Sequence, residues 1–523
     1  MSQALPRLPL GLSDFAKLRE AGANYLYVDK TRALAGMLQA GNYLFLARPR
    51  RFGKSLLCST IASLYASRRD LFDGLAIEPL WDWSQTNPVV HLGLTGVDSS
   101  SVESLRESLF KLLADQARPY GITLTGRLLP DDFVTLLRGI RAQIKRRVVV
   151  IVDEYEKPVH DHLDDLPAAK RMRDVLAAFY GALKGCDADL EKVFITGIGR
   201  MVRTSIFSEL NQMKDLTLDE HAAEICGYTE AELRACFQPF IGRLAAKNRL
   251  TETQAWDTLR DRYNGYWWGE GEKVYNPWAI LNCLDTGKLD NYWWASGTPG
   301  MLVELARTLQ RPAGDLEGLQ ATDLSLLFDI TQPAPEPLLW QSGYLTVKAV
   351  GNRVYTLGFP NAEVREAWFG MMLGHFCGQR GAAGQTAAAV MLAALQTRDR
   401  PRFEQALTAL FASIPGELQV DREAYYHSVF LAALQAAGGE IAPESRTDKG
   451  RADAVLKTAD VIYVMEFKLG AAEDALAQIK ARRYHEPFLT DPRKLVLLGA
   501  GGFAERAIRC LWEEVVRQET GQK

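Results

Sequence analysis

Three short apolar runs bounded by polar residues stand out in the first two hundred residues: Asn42–Ala47 (NYLFLA), Val148–Val152 and Lys192–Ile198 (KVFITGI). Runs of this length read as buried strands. Apolar positions recur at helical spacing over Leu56–Ala66, Val102–Gln116 and Phe133–Lys145, while Asp73 to about Ser99 mixes loop and strand. Strands alternating with helices predict an α/β fold with a parallel sheet and helices on both faces. Residues 13–40 predict short helices with polar starts. The pattern changes after about residue 220, where six of the eleven tryptophans fall between Trp256 and Trp294. Helical spacing there predicts an aromatic-rich lid. Turn signals at 311–314 and a Pro-rich break at 331–337 precede a hairpin predicted over 339–357, turning near Gly351-Asn352. The Gly/Ala-rich stretch 378–389 reads as a linker or as the start of a helix. From Arg422 the chain predicts a helix, a hairpin over 451–468 and a second helix. The predicted organisation is a core over 1–220, a lid over 221–310, a connecting region over 311–415 and a second α/β domain over 416–523.

A chain of 523 residues is too long for one core and agrees with several units. Hydrophobic residues at 47% and charged residues at 24% are ordinary for globular proteins and exclude a mainly disordered chain. The charge balance of 61 − 64 = −3 excludes a uniformly basic nucleic-acid coat and leaves room for a local basic groove. The seven cysteines never occur at CxxC spacing, so neither a zinc ribbon nor a disulfide framework is indicated. No apolar run approaches the ~20 residues of a spanning helix, and the N-terminus has no signal-peptide pattern. The expectation is a cytoplasmic protein with reduced thiols and no membrane partner.

The segment Arg48-Pro49-Arg50-Arg51-Phe52-Gly53-Lys54-Ser55 lies between a predicted strand and a predicted helix. Backbone N–H groups at a helix N-terminus cradle phosphates in that setting. Gly53 would let the backbone approach a phosphate, Lys54 would contact the β- and γ-phosphates, and the Ser55 hydroxyl would ligate Mg²⁺. The usual pattern is GxxxxGK[ST], and Arg48 occupies its first glycine position. Val148–Val152 runs directly into Asp153-Glu154, which places a carboxylate at the end of a buried strand, where parallel sheets bind ligands. Asp153 would hold Mg²⁺ through water and Glu154 would polarise the attacking water; the bland alternative is a helix-start pair. Thr196, at the end of the third strand, is either a sensor of the γ-phosphate or part of a tight turn. Arg48, Arg50, Arg51, Arg200 and Arg203 are candidates for phosphate contact or for a finger offered to a neighbouring copy in a homo-oligomer. For each one taken alone, a solvated surface arginine is the leading reading.

The C-terminal hairpin carries a second constellation. With its turn centred between Thr458 and Ala459, residue i pairs with 917 − i, so Asp453 opposes Val464. Glu466 and Lys468 share Val464's face, and Glu466 becomes Asp453's diagonal neighbour. Two carboxylates so placed can hold Mg²⁺. A lysine beside them can orient or deprotonate a water for attack on a phosphodiester. An ordinary half-exposed strand with a Glu–Lys pair is the plain alternative. Glu423, one helical turn before His427, is a further ligand or a surface carboxylate. Gln478 and Tyr484 on the following helix could touch a substrate backbone, and Lys480, Arg482 and Arg483 add charge beside them. Residues 421–523 hold 15 Lys/Arg and 16 Asp/Glu, a balance that argues against tight unassisted binding of DNA.

These residues carry a likeness. The motifs YVDKTR (Tyr27–Arg32), RPRRFGKS (Arg48–Ser55), VDEYEKP (Val152–Pro158), FSELN (Phe207–Asn211), YNGY (Tyr263–Tyr266), VYNPW (Val274–Trp278), SGYLT (Ser342–Thr346) and GRAD…EFKL (Gly450–Leu469), in this order, resemble a family of bacterial proteins. Its members join an AAA-ATPase-like domain to a C-terminal PD-(D/E)XK nuclease-superfamily domain. The resemblance implies a P-loop ATPase core followed by a restriction-endonuclease-like fold. Asp453, Glu466 and Lys468 would be its central residues, and Glu423 and Gln478 accessory. It also implies ATP and Mg²⁺ as cofactors, DNA as partner, and an association with defence or mobile elements. The chain departs from the family's pattern at Gly199-Arg200, where lysine is common, which bears on a sensor role there. The expected activity is nucleotide-controlled hydrolysis of DNA. Two alternatives are a nucleotide-gated switch whose nuclease-like domain binds without cutting, and a translocase with an auxiliary nuclease domain. The aromatics of YNGYWWGEGEKVYNPW predict packing of a small domain, with base stacking by Trp267 or Trp268 as the alternative.

Overall fold

The computed structural model describes residues 5–163, 165–199, 212–293, 316–322, 324, 335–378, 381–414, 423–439, 441–447, 450–503 and 507–516. Arg200, Arg203, the FSELN segment and the predicted breaks at 311–314 and 331–334 lie outside the described residues. The chain divides into two compact units, one of Met1–Ser296 with Leu319–Asn361 and one of Gly297–Gly318 with Ala362–Lys523.

The first unit is built on a five-stranded parallel sheet. Its strands are β1 (Tyr43–Ala47), β2 (Val89–Gly93), β3 (Val148–Asp153), β4 (Leu190–Gly197) and β5 (Lys214–Asp215), in the order β2-β3-β4-β1-β5. Every residue of β1 and β3 is buried, which explains why both read as unbroken apolar runs. Ala47 stands beside Gly197, and Asp153 beside Thr196, so the C-terminal ends of β1, β3 and β4 lie together. The helix Lys54–Tyr65 leaves β1 and packs on β3. Helices Val102–Ala117 and Leu129–Ile144 fall where the periodicity predicts them.

The tryptophan-rich region folds as the helices Glu230–Asn248, Glu252–Tyr263 and Pro277–Thr286. Their apolar faces enclose a core that also takes in Leu26 and Val28. A small sheet, ordered β6-β8-β7, is formed by β6 (Leu319–Ala321), β7 (Thr346–Gly351) and β8 (Val354–Gly358). Its hairpin turns through Asn352 and Arg353, both at positive φ, as a two-residue turn between twisted strands requires. The predicted hairpin began at residue 339; instead 339–341 complete the helix Pro335–Gln341.

The second unit holds a mixed sheet of β9 (Ile441–Thr447), β10 (Gly450–Lys457), β11 (Val461–Phe467), β12 (Lys494–Gly501) and β13 (Arg509–Glu514), ordered β13-β12-β11-β10-β9. All its neighbours are antiparallel except β11 and β12, and the helix Ala472–Ala481 makes that parallel crossover. Gly381–Thr397 is a helix, so the Gly/Ala-rich stretch is a helix start. With Arg400–Ala412 and Glu423–Ala436 it buries one face of the sheet. The seven cysteines are free thiols. No helix among the described residues is long and apolar enough to cross a membrane.

Candidate functional site

Beyond Ala47 the chain turns through the arginine-rich loop into the helix Lys54–Tyr65. Gly53 caps that helix at φ 87°, a conformation that costs little only without a Cβ. The first N–H groups of the helix have no intrahelical acceptor and are available to an anion. Lys54 is buried, and its ammonium donates to the carbonyls of Arg48 and Pro49 at 2.9 Å each. Arg50, Arg51, Phe52, Gly53, Lys54 and Ser55 all line a cavity of about 400 Å³, and Glu154 joins them. Much of the remaining wall is apolar, with Ile225, Trp278 and Leu281. A cationic loop facing an apolar wall suits a ligand with a charged end and a flat apolar end.

Asp153 ends β3, is 5% exposed, and has an Oδ1 without a hydrogen-bond partner among the described residues. An orphaned, buried carboxylate oxygen beside a phosphate loop suits a hard cation reached through water. Glu154 has φ 54° and accepts a hydrogen bond from the Thr95 hydroxyl at 3.1 Å. Thr196 is fully buried, and its hydroxyl donates to the Leu46 carbonyl at 2.7 Å, tying β4 to β1. Neither Asp153 nor Thr196 lines the cavity.

The arginines divide. Arg48, a candidate for phosphate contact, turns away from the loop into the protein. Its guanidinium donates to the carbonyls of Ala47 (2.8 Å), Thr217 (3.0 Å) and Ala222 (2.6 Å). Arg51 donates to the Tyr292 carbonyl at 3.1 Å and lies over the Trp278 ring. Trp268 is buried against Phe52, so packing rather than base stacking occupies it.

Sequence reasoning missed Glu156. It is 2% exposed and accepts a hydrogen bond from the Ile198 N–H, and burial pushes its carboxyl up to about 7. A side chain at Gly197 would collide with it. The one signal in the sequence is a third acid in VDEYEKP, and spacing does not say that this one is buried.

In the second unit the hairpin register differs from the predicted one. Ala454 pairs with Met465 and Val455 with Val464, so i pairs with 919 − i and Asp453 stands opposite Glu466 itself. The turn is centred one residue later than assumed, between Ala459 and Asp460: the Thr458 N–H donates to the Val461 carbonyl at 2.8 Å. A slip of two residues preserves the face, so the predicted cluster survives with closer neighbours. The Asp453 N–H approaches Glu466 Oε2 at 3.4 Å, and the Phe467 N–H donates to Asp453 Oδ2 at 2.9 Å. Lys468 Nζ is 3.5 Å from Glu466 Oε1, which also accepts from the Gln478 amide. Glu466 is 2% exposed, and burial, then the charge of Asp453, pushes its carboxyl up to about 7.

His427, noted only for its spacing, meets the Asp453 carbonyl at 2.7 Å through Nε2. Glu423 opens its helix, and its side chain lies outside the described ones. Tyr484 is buried in the core with Ile479 and Leu495 rather than offered to a substrate. Of the basic run, Lys480 pairs with Glu513 and Arg483 with Glu486.

Among the described residues no group of three or more His, Cys, Asp or Glu stands ready to hold a metal. The donor set at the hairpin is a pair of carboxylates that disfavour each other's charge. A divalent oxygen-seeking cation would relieve that repulsion and complete its shell with water and phosphate oxygens.

Residues 9–207 match the family described as predicted AAA-ATPase, and residues 421–512 match the PD-(D/E)XK nuclease superfamily. An uncharacterized protein from the vnfD 5′ region of Azotobacter chroococcum mcd 1 is 34% identical over 506 residues, covering 94% of this chain and 96% of that one. No solved structure matches. The chain belongs to the family of two-domain proteins that join an AAA-ATPase-like domain to a PD-(D/E)XK nuclease-superfamily domain.

Proposed function

We propose that this protein binds and hydrolyses ATP at the phosphate loop and, under control of that nucleotide, hydrolyses DNA phosphodiesters at the hairpin with Mg²⁺. The observation that carries the reading is the convergence of Asp453, Glu466, Lys468 and Gln478 at one point of the sheet, with Glu466 raised toward neutrality.

At the first site Arg50, Arg51 and Lys54 neutralise phosphate charge, and the backbone at Phe52 and Gly53 cradles it. Glu154, held by Thr95, orients the attacking water. Ser55 and Asp153 there, and Asp453 and Glu466 at the hairpin, would hold Mg²⁺, which supplies Lewis acidity and a lowered water pKa. At the hairpin Lys468, as the ammonium paired with Glu466, orients a water and neutralises phosphate charge, Gln478 holds the Glu466 carboxylate in place, and Glu423 is an accessory acid. The resemblance supports DNA as substrate, and free thiols support a cytoplasmic location.

The test is cleavage of linear, circular and single-stranded DNA with Mg²⁺, with and without ATP. Wild type should cut, Glu466→Ala should lose at least ~100-fold, and Lys54→Ala should lose the response to ATP. Equal cutting by Glu466→Ala, or none by wild type, would overturn the nuclease reading. A nucleotide-gated switch that binds nucleic acid without cutting would then lead.

A further inference from the structure

Arg48 is an unusual residue to bury at a phosphate loop. It is 1% exposed, and desolvation lowers its pKa to about 10, still above neutrality, so it stays charged. Three carbonyls from Ala47, Thr217 and Ala222 surround its N–H groups, and its Cζ lies 4.1 Å from the centre of the Trp268 ring. A desolvated guanidinium over an indole face is among the stronger cation–π arrangements. Further along the loop, Phe52 meets the same segment edge-on, 4.7 Å from Tyr266 and 5.6 Å from Trp268 between centroids. Both ends of the loop therefore meet Trp268, and Phe52 also meets Tyr266.

The carbonyls that hold the Lys54 ammonium belong to Arg48 and Pro49. A polyphosphate at the loop competes for that ammonium, because phosphate oxygens are stronger acceptors than amide carbonyls. Loss of those two hydrogen bonds is felt first at Arg48, whose side chain is seated on Trp268.

Resting on the nucleotide-binding reading, we propose that Arg48 is a positioning residue that couples loading of the phosphate loop with a nucleoside triphosphate to the seating of Trp268. The glycine position of the usual loop has here become a mechanical link to the aromatic segment 266–268. Coupling is reciprocal, so the Arg48–Trp268 contact in turn sets triphosphate affinity.

The experiment uses the full chain, with ATP and Mg²⁺ as the probe. Calorimetry gives affinity, tryptophan emission reports seating, and a melting curve of each variant reports folding. Wild type should bind and change its emission. Trp268→Phe, which keeps an aromatic ring, should lose most of that change and shift affinity about tenfold. Arg48→Lys, which keeps the charge but not the fork, should do the same. If both variants bind like wild type and the emission change persists, the coupling is wrong while nucleotide binding stands. Should Arg48→Lys fail to fold, Trp268→Phe decides alone. If wild type binds no ATP, the nucleotide reading falls and the coupling with it.

Discussion

Glu156 shows how much a single buried carboxyl can matter. The Ile198 N–H donates to Oε1, and Oε2 has no partner among the described residues, so burial disfavours the charged form. The folded chain holds this proton up to about pH 7, whereas an unperturbed glutamate loses it near 4.5. The unfolded state therefore binds fewer protons across that window, and stability falls as pH rises from about 4.5 through 7. A shift of that size corresponds to about 3 kcal/mol. Glu156→Gln keeps an acceptor for Ile198 and should melt higher than wild type at pH 8, with the gap closing toward pH 4.5 in thermal scans. At the hairpin, a cation binding Glu466 must displace a proton below about pH 7. Calorimetric Mg²⁺ affinity should be about tenfold weaker at pH 6 than at pH 8, and Glu466→Gln should flatten the dependence. An unchanged profile would mean that Glu466 is not a ligand.

At the scale of elements, the two hairpins teach opposite lessons. The one at β7–β8 turns close to Gly351-Asn352, because two residues at positive φ leave few alternatives. The one at β10–β11 has no such signal, and its register is two residues away from the symmetric guess. Parity protected the functional reading, since an even slip keeps every side chain on its face. β1 and β3 were legible because short unbroken apolar runs bounded by polar residues are the pattern of buried strands, and β4 through the β-branched and aromatic residues Val193, Phe194 and Ile195. β12 is equally buried, but KLVLLGAG reads as strand or helix alike until its neighbour is known. Helix starts are clearer: Thr229 and Glu232 bond each other's backbone in a capping box. Thr229→Ala should cost about 1 kcal/mol, read as a lower melting temperature. No loss would mean that tertiary packing alone holds that helix start.

For the whole molecule, a ligand that binds only the folded state stabilises it by mass action. ATP with Mg²⁺ at a hundredfold excess over its dissociation constant should add ~2.7 kcal/mol and raise the melting temperature. Lys54→Ala, which removes the ammonium at the loop, should abolish the rise; a rise of equal size would place the nucleotide elsewhere. What the sequence determined by itself was local: a strand-to-helix loop leading into Lys54 and Ser55, a strand end carrying Asp153 and Glu154, and alternation that puts Asp453, Glu466 and Lys468 on one face. Those follow from the periods of strands and helices and from motif spacing. Only the tertiary structure decided that Arg48 faces inward to Trp268, that Tyr484 is core, that the Thr196 hydroxyl donates a hydrogen bond to the Leu46 carbonyl, and that Glu156 is buried. Each of these depends on which distant segment packs against the residue, and no local period encodes that choice.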